Sequence, residues 1–226
     1  MAIYPFTSPI ILNDTVFINY GGHTGTSTAV QRQAVYTIAE KAVSAYISTL
    51  LLPVTVTGTF YFRPNDPYLL LDYGYVSGVD LVRFIDTEGT IYFTSTGTAS
   101  IYASLRDARL GILDIWQWVS ACNCSNSLFP FPYQVQVVYG AGLPTGIASN
   151  HPDILLALTI HADMVLSEMI GYGNEAPGLV GVSEYSNQGY REVRYGLQDT
   201  DFGSSPKAKF IKNLLEQWTV RRYVRW

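Results

Sequence analysis

Three histidines, His23, His151 and His161, are the side chains best suited by type to acid–base or metal chemistry in this chain. Their spacing does not gather them. His23 lies in a glycine-rich stretch, His151 at a helix start, and His161 inside a helical pattern beside Asp163, where a structural histidine is the simpler reading. The two cysteines stand in Cys122-Asn-Cys124, too close for an unstrained disulfide and with no histidine within 25 residues to complete a metal set. Free thiols of a reducing cytoplasm are therefore expected. Nucleophilic and phosphate chemistry lack their signatures. There is no Gly-x-Ser-x-Gly elbow and no Gly-Lys-Ser/Thr phosphate loop, and the pairs Gly140–Gly142 and Gly171–Gly173 lack a third glycine in register; the first reads as a turn and the second as the end of a helix. Of the carboxylate pairs, Asp199 with Asp201 lacks the third oxygen ligand and the closing glutamate of a calcium loop, and Asp72 with Asp80 is the other. No catalytic residue, cofactor or metal site is expected, and the chain reads as non-enzymatic.

Binding chemistry is concentrated at one end. From Lys207 onward there are six basic residues (Lys207, Lys209, Lys212, Arg221, Arg222, Arg225) against one acid, Glu216. The net charge of the whole chain is −4, which leaves about −9 on residues 1–206. The same end carries Trp218, Tyr223 and Trp226. A free chain end is ordinarily polar and frayed, so an aromatic, basic one is a candidate docking element for a charge-complementary partner. Two plainer readings stand beside it. The segment could pack back onto its own domain, and Arg221 and Arg222 could simply follow the preference of cations for helix C-termini. The acidic body lacks the basic stripe of a nucleic-acid binder that works by counterion release.

The elements that must position these residues are bounded by composition. The chain has 226 residues, 48% hydrophobic, 14% aromatic and only 14% charged. The length predicts one domain, or one with a sizeable insertion. Low charge and high hydrophobicity exclude intrinsic disorder. Ser, Thr, Asn, Gly and 17 tyrosines replace the missing charges, which predicts a neutral, adhesive surface. The longest apolar stretch, Ile47 to Val56, is broken by Ser48, Thr49, Pro53 and Thr55 and is too short for a membrane span. The first basic residue is Arg32, so no secretory signal is expected.

Residues 1–27, with Pro5, Pro9, Gly21, Gly22 and Gly25, read as an extended N-terminal arm, with a short strand near Thr15–Asn19 as the only regular element in prospect. Thr26, Ser27 or Thr28 then caps a helix from Thr28 to Leu51, in which Val30, Ala34, Val35, Ile38, Ala42, Val43, Tyr46 and Leu50 recur at three- and four-residue spacing. Gln31, Gln33, Glu40 and Lys41 fall between them, and Pro53 ends the helix. Residues 54–142 change to β patterning, with four to six strands rich in Val, Ile, Thr and aromatics. A second helix is predicted from Pro152 to Ile170, with Pro152 and Asp153 suited to its first turn, and a glycine-rich loop with a hairpin through Glu192–Tyr195 follows. Ser205-Pro206 opens a last helix to about Tyr223. The fold class is α+β: a helical frame of three main helices (28–53 and 143–226) around a β-rich insertion (54–142).

The order of these elements resembles the tailed-phage head–tail connector, or adaptor, family. The resemblance is carried by the helix QRQAVYTIAEKAVSAYI, the strand–acidic turn–Gly–strand YASLRDARLGILDI, the strand VQVVYGAG, the helix HPDILLALTIHADMVL, the loop VGVSEYSNQGYREVRYG and the closing helix SPKAKFIKNLLEQW. It covers residues 28–52 and 100–220. The longer β segment, the arm and the Trp/Arg-rich end depart from the shorter members. The resemblance implies a virion structural protein, assembled in the host cytoplasm, that forms a ring, commonly twelve-fold, beneath the portal. Such a ring extends the DNA channel and joins head to tail. Its implied partners are the portal protein, tail or further connector proteins and other copies of the chain, with DNA passing through without sequence-specific binding and no membrane involved. By that analogy Trp218, Arg221, Arg222, Arg225 and Trp226 are candidate portal contacts. A neutral, tyrosine-rich surface suits subunit contacts, and an arm and a tail that gain order on assembly suit a role triggered by the partner.

Two other readings share the composition. A tail-completion ring or a decoration protein would not require the helical frame. A carbohydrate-binding β module would use Trp116 and Trp118, whose spacing puts both on one side of a strand.

Overall fold

The computed structural model describes residues 5–61, 68–85, 89, 91–96, 104–115, 134–171, 182–187, 190–195 and 205–220. Among these the chain is an α+β fold with three main helices and an inserted β part, and it divides into two units. One contains Ser48–Thr145 and Val220; the other contains residues 5–47 and Gly146–Thr219.

The β unit is built on alternation. Its strands are β1 (Val54–Tyr61), β2 (Tyr68–Leu70), β3 (Val76–Ile85), β4 (Ile91–Thr96), β5 (Ser104–Asp107), β6 (Ile112–Asp114) and β7 (Gln134–Ala141), seven where four to six were expected. The main sheet is antiparallel in the order β1-β7-β3-β4, so the last strand is inserted between the first and the third. Register carries the alternation across the sheet. Val56, Tyr139 and Val79 pair in one row, and Phe60, Val135 and Phe84 in another. Val135, Val137, Tyr139 and Ala141 of β7 are buried while their neighbours are only partly so. A three-stranded sheet, β2-β6-β5, adds buried Leu69 and Leu113. Its β5–β6 turn is the expected strand–acidic turn–Gly–strand. Asp107 Oδ1 accepts the Leu110 N–H at 2.9 Å, and Gly111 turns the chain at φ +68°. Gly142 ends β7 at φ +130°, where a Cβ would lie 2.1 Å from the Leu52 carbonyl oxygen. The expected turn at the Gly140–Gly142 pair is therefore only half right: Gly140 is paired within β7, opposite Thr55 and Gly78, and Gly142 alone turns the chain.

In the helical unit, α1 (Asp14–Asn19), α2 (Ala29–Ile47), α3 (Ile147–Asn150), α4 (Pro152–Gly171), the hairpin β8 (Val182–Asn187) and β9 (Tyr190–Tyr195), and α5 (Pro206–Leu215) follow one another. Thr28 and Gln31 form a reciprocal cap on α2: the Thr28 N–H donates to Gln31 Oε1 at 2.7 Å, and the Gln31 N–H to Thr28 Oγ1 at 3.3 Å. The α2 helix stops at Ile47, four residues short of the expected end, because Ser48 takes the left-handed conformation at φ +56° before Pro53 can act. The α4 helix packs against both α2 and α5, which is why its apolar face is broad; Ile154, Leu158, Ala162 and Leu166 are all buried.

The N-terminal arm requires a correction. Where a strand near Thr15–Asn19 was in prospect, the chain forms α1, capped by Asn13, whose side chain accepts the Val16 N–H. The arm is also pinned. Arg32 donates to both carboxylate oxygens of Asp14, at 2.9 and 2.7 Å, and to the Ser27 carbonyl, while the Tyr36 hydroxyl donates to Asp14 at 2.9 Å. The Arg32 hydrogen bonds hold the Asp14 carboxyl below its usual range, and burial, followed by Asp14, pushes the Tyr36 phenol up. A second pin is Glu40, expected among the polar positions of α2 but fully buried. Its carboxylate accepts the backbone N–H groups of Ile10, Ile11 and Leu12 at 2.7–3.1 Å. The described part of the arm is therefore tied to α2 by two sets of contacts within the chain.

Candidate docking site

The helix that leads to the basic end is set by its own first and last turns. Ser205 Oγ accepts the Ala208 N–H at 3.1 Å, Pro206 fills the first turn, and Ala208, Ile211 and Leu215 are buried. The exposed side carries Lys207, Lys209 and Phe210. The α-helix ends at Leu215, not near Tyr223, and one 3-10 turn, Glu216–Trp218, follows. Thr219 then adopts an extended conformation, with its hydroxyl bonded back to the Leu215 carbonyl at 3.0 Å. A helix that stops there cannot place Arg221 and Arg222 in its last turn, so the preference of cations for a helix C-terminus does not account for them.

Two contacts hold the 3-10 turn. Gln217 Nε2 donates to Asp153 Oδ2 at 2.8 Å, and the Trp218 ring meets the His151 ring edge-on, with centroids 4.8 Å apart. The indole N–H is buried with no hydrogen-bond partner among the described residues, so ring packing is what holds Trp218. Asp153, Asn213, Leu214, Glu216 and Gln217 line a shallow groove beside it. Trp218, one of the five candidate contacts, is thus half-buried against its own unit. The other four, Arg221, Arg222, Arg225 and Trp226, lie outside the described residues. Val220, just before them, is 3% exposed and belongs to the β unit, where its Cγ2 would lie 2.8 Å from a Cβ on Gly74.

The three histidines occupy separate places. His23 is exposed and meets Asp163, with Nδ1 to Oδ1 at 3.5 Å, and Lys207 approaches the other oxygen of the same carboxylate at 3.7 Å. His151 packs on Trp218. His161 is 2% exposed in α4, and burial pushes its imidazole down to about 4. Among the described residues no group of three or more His, Cys, Asp or Glu could hold a metal ion. No helix among them is long and apolar enough to cross a membrane. Asp72 and Asp80 are described, on the β2–β3 connection and on β3; Cys122, Cys124, Asp199, Asp201, Trp116 and Trp118 lie outside the described residues.

The residues that sequence reasoning missed are Glu40 and Gly74. Tyr36, Glu40, Val43 and Ile47 recur at helical spacing, and that register was the available signal that Glu40 faces inward. Nothing in the sequence marked Gly74, whose importance is the space it leaves.

No protein-family model matches the chain, and no curated protein sequence matches it. Several chains of solved structures do, among them the following two. One is a chain in the neck of an empty gene transfer agent (GTA) particle computed with C6 symmetry, with a TM-score of 0.54 and 13% identity, covering 95% of this chain and 92% of that one. The other, in the virion of a native gene transfer agent particle, matches with the same figures. At that identity the likeness shows a shared fold.

Proposed function

We propose that this chain is a structural subunit of the neck of a phage-like particle, a ring that meets the portal, extends the DNA channel and offers a platform for the tail. The observation that carries this reading is the fold shared, over nearly the whole length of both chains, with a chain of a gene transfer agent neck. A ring count of six or a multiple of it fits the C6 symmetry with which that neck was computed. The role is non-catalytic, and the site that matters is a surface.

Surface chemistry supports the reading. The solvent side of α2 presents Val30, Gln33, Lys41 and Ala45, with Lys41 the one exposed charge of that helix, and Val30 is 77% exposed. Charge-depleted surface of this kind is what subunit contacts use. An acidic body, at about −9 over residues 1–206, would let DNA pass without counterion-releasing attachment. The aromatic, basic segment that begins at Arg221 is the portal-binding element, with Arg221, Arg222, Arg225 and Trp226 as its contacts and Trp218 as a buttress held on His151.

Truncation tests this. Because Val220 is seated in the fold, the deletion must begin at Arg221. A chain lacking 221–226 is expected to keep its circular dichroism spectrum and melting temperature and to lose measurable binding to the portal protein of the same particle. A truncated chain that binds the portal like the full one would refute the tail assignment.

A further inference from the structure

The main sheet of the β unit ends on two open edges. Its order is β1-β7-β3-β4, and among the described residues neither β1 nor β4 has a strand on its outer side. An open edge presents a row of backbone N–H and C=O groups, and natural edges are ordinarily guarded by charge, proline or a bulge. Here β1 is VTVTGTFY and β4 is IYFTST, with no charged residue and no proline in either. The register shift between β3 and β4 falls at Ile91, the first residue of β4, and leaves the rest of that strand regular. Three antiparallel pairings separate the two edges, so β1 and β4 run in opposite directions. A second copy turned about an axis along the strands brings its β1 beside β4 with the antiparallel pattern unbroken.

The rows of the sheet also match end to end. One row runs Thr59, Gln136, Arg83, Thr94, and two residues further along β1 another runs Tyr61, Gln134, Ile85, Ile91. The outer members of both rows are exposed, Tyr61 at 73% and Ile91 at 51%. Continued into the next copy, the first row sets Thr94 against Thr59 and the second sets Ile91 against Tyr61. These are a hydroxyl pair and an aromatic–β-branched pair, both of kinds that stabilise neighbouring strands.

We infer that β4 of one copy pairs antiparallel with β1 of the next, so that the main sheet runs on from subunit to subunit. The inference deepens the ring reading and rests on it. Such a contact joins two different surfaces of the same chain, and it closes into a ring when the rotation between copies divides a full turn. Pairing of like edges, β1 with β1 or β4 with β4, would stop at a dimer.

A disulfide between copies tests this. Thr59→Cys and Thr94→Cys are combined in a chain that also carries Cys122→Ser and Cys124→Ser. Within one chain the two positions stand three strand spacings apart, about 14 Å, beyond the roughly 7 Å that a disulfide spans between Cα atoms. Oxidised after mixing with the portal protein of the same particle, this chain is expected to give a ladder of covalent multimers up to the ring number. Either single-cysteine chain is expected to give nothing beyond a dimer. A double-cysteine ladder that stops at the dimer, or a ring on the portal with no crosslinks, overturns the strand contact and leaves the neck reading standing. A natural chain that forms no ring with the portal overturns both. Should the cysteine chain fail to fold, two charge variants decide. Tyr61→Lys with Ile91→Lys is expected to assemble about tenfold more weakly than Tyr61→Lys with Ile91→Glu, because like charges then face each other across the contact. Equal assembly by these two chains overturns the inference.

Discussion

Replacing Glu40 with alanine is expected to destabilise the protein on the order of 4 kcal/mol, because it strands three buried or part-buried backbone donors at once. The carboxylate sits on a fully buried turn of α2 and takes the N–H groups of three consecutive residues, Ile10, Ile11 and Leu12. No water replaces those bonds without opening the packing of Ile11 and Leu12, both buried. Glu40→Gln keeps an acceptor oxygen but loses the charge that strengthens each bond, so an intermediate loss is expected. Urea unfolding measures this as a lower midpoint at an unchanged slope. Proteolysis should cut the Glu40→Ala chain before residue 20 and spare the natural one. A Glu40→Ala chain within 1 kcal/mol of natural stability would show that the arm is held by Arg32 and Asp14 alone.

Acidification is the second large effect. His161 is buried, and its imidazole is held neutral down to about 4, whereas in the unfolded chain it takes up a proton near 6.5. A depressed value means that the unfolded state binds the proton first, so stability is full above 6.5, falls as the pH drops towards 4 and is flat again below. Between pH 7 and pH 5 the loss is about 2 kcal/mol, or roughly 4–8 °C in melting temperature for a chain of this size. Asp14 does not contribute in that window. Its value lies below 3.8, so its stabilisation is lost only in stronger acid. His161→Gln removes the titrating group, and its melting temperature is expected to be nearly level between pH 7 and pH 5. An equal slope in the natural and altered chains would assign the acid sensitivity elsewhere.

What the sequence made legible was the part governed by local periodicity. The α4 helix ran from Pro152 as expected, because proline, aspartate and a broad apolar face all point the same way. The Ser205-Pro206 start of α5 and the turn through Asp107 and Gly111 were readable for the same reason. Long-range terms account for what was not. The α1 helix is six residues long with one buried side chain, Phe17, too short to show a period, and it depends on Arg32 and Tyr36 from another helix. The insertion of β7 between β1 and β3 leaves no local trace, since any of these alternating strands could pair with any other. The early end of α5, followed by one 3-10 turn and an extended Thr219, was hidden because Trp218 and Val220 looked like further apolar positions of the helix. At the candidate site the chemistry was visible as charge and aromaticity. The close approach of Val220 to Gly74 was not, because a glycine that matters for the space it leaves looks like any other glycine.

The most direct measurement of the central claim is electron microscopy of this protein mixed with the portal protein of the same particle. The account predicts a closed ring of this chain stacked coaxially on the portal, with density for residues 221–226 at the contact. A portal left bare, with the chain bound instead to tail or capsid proteins, would contradict it.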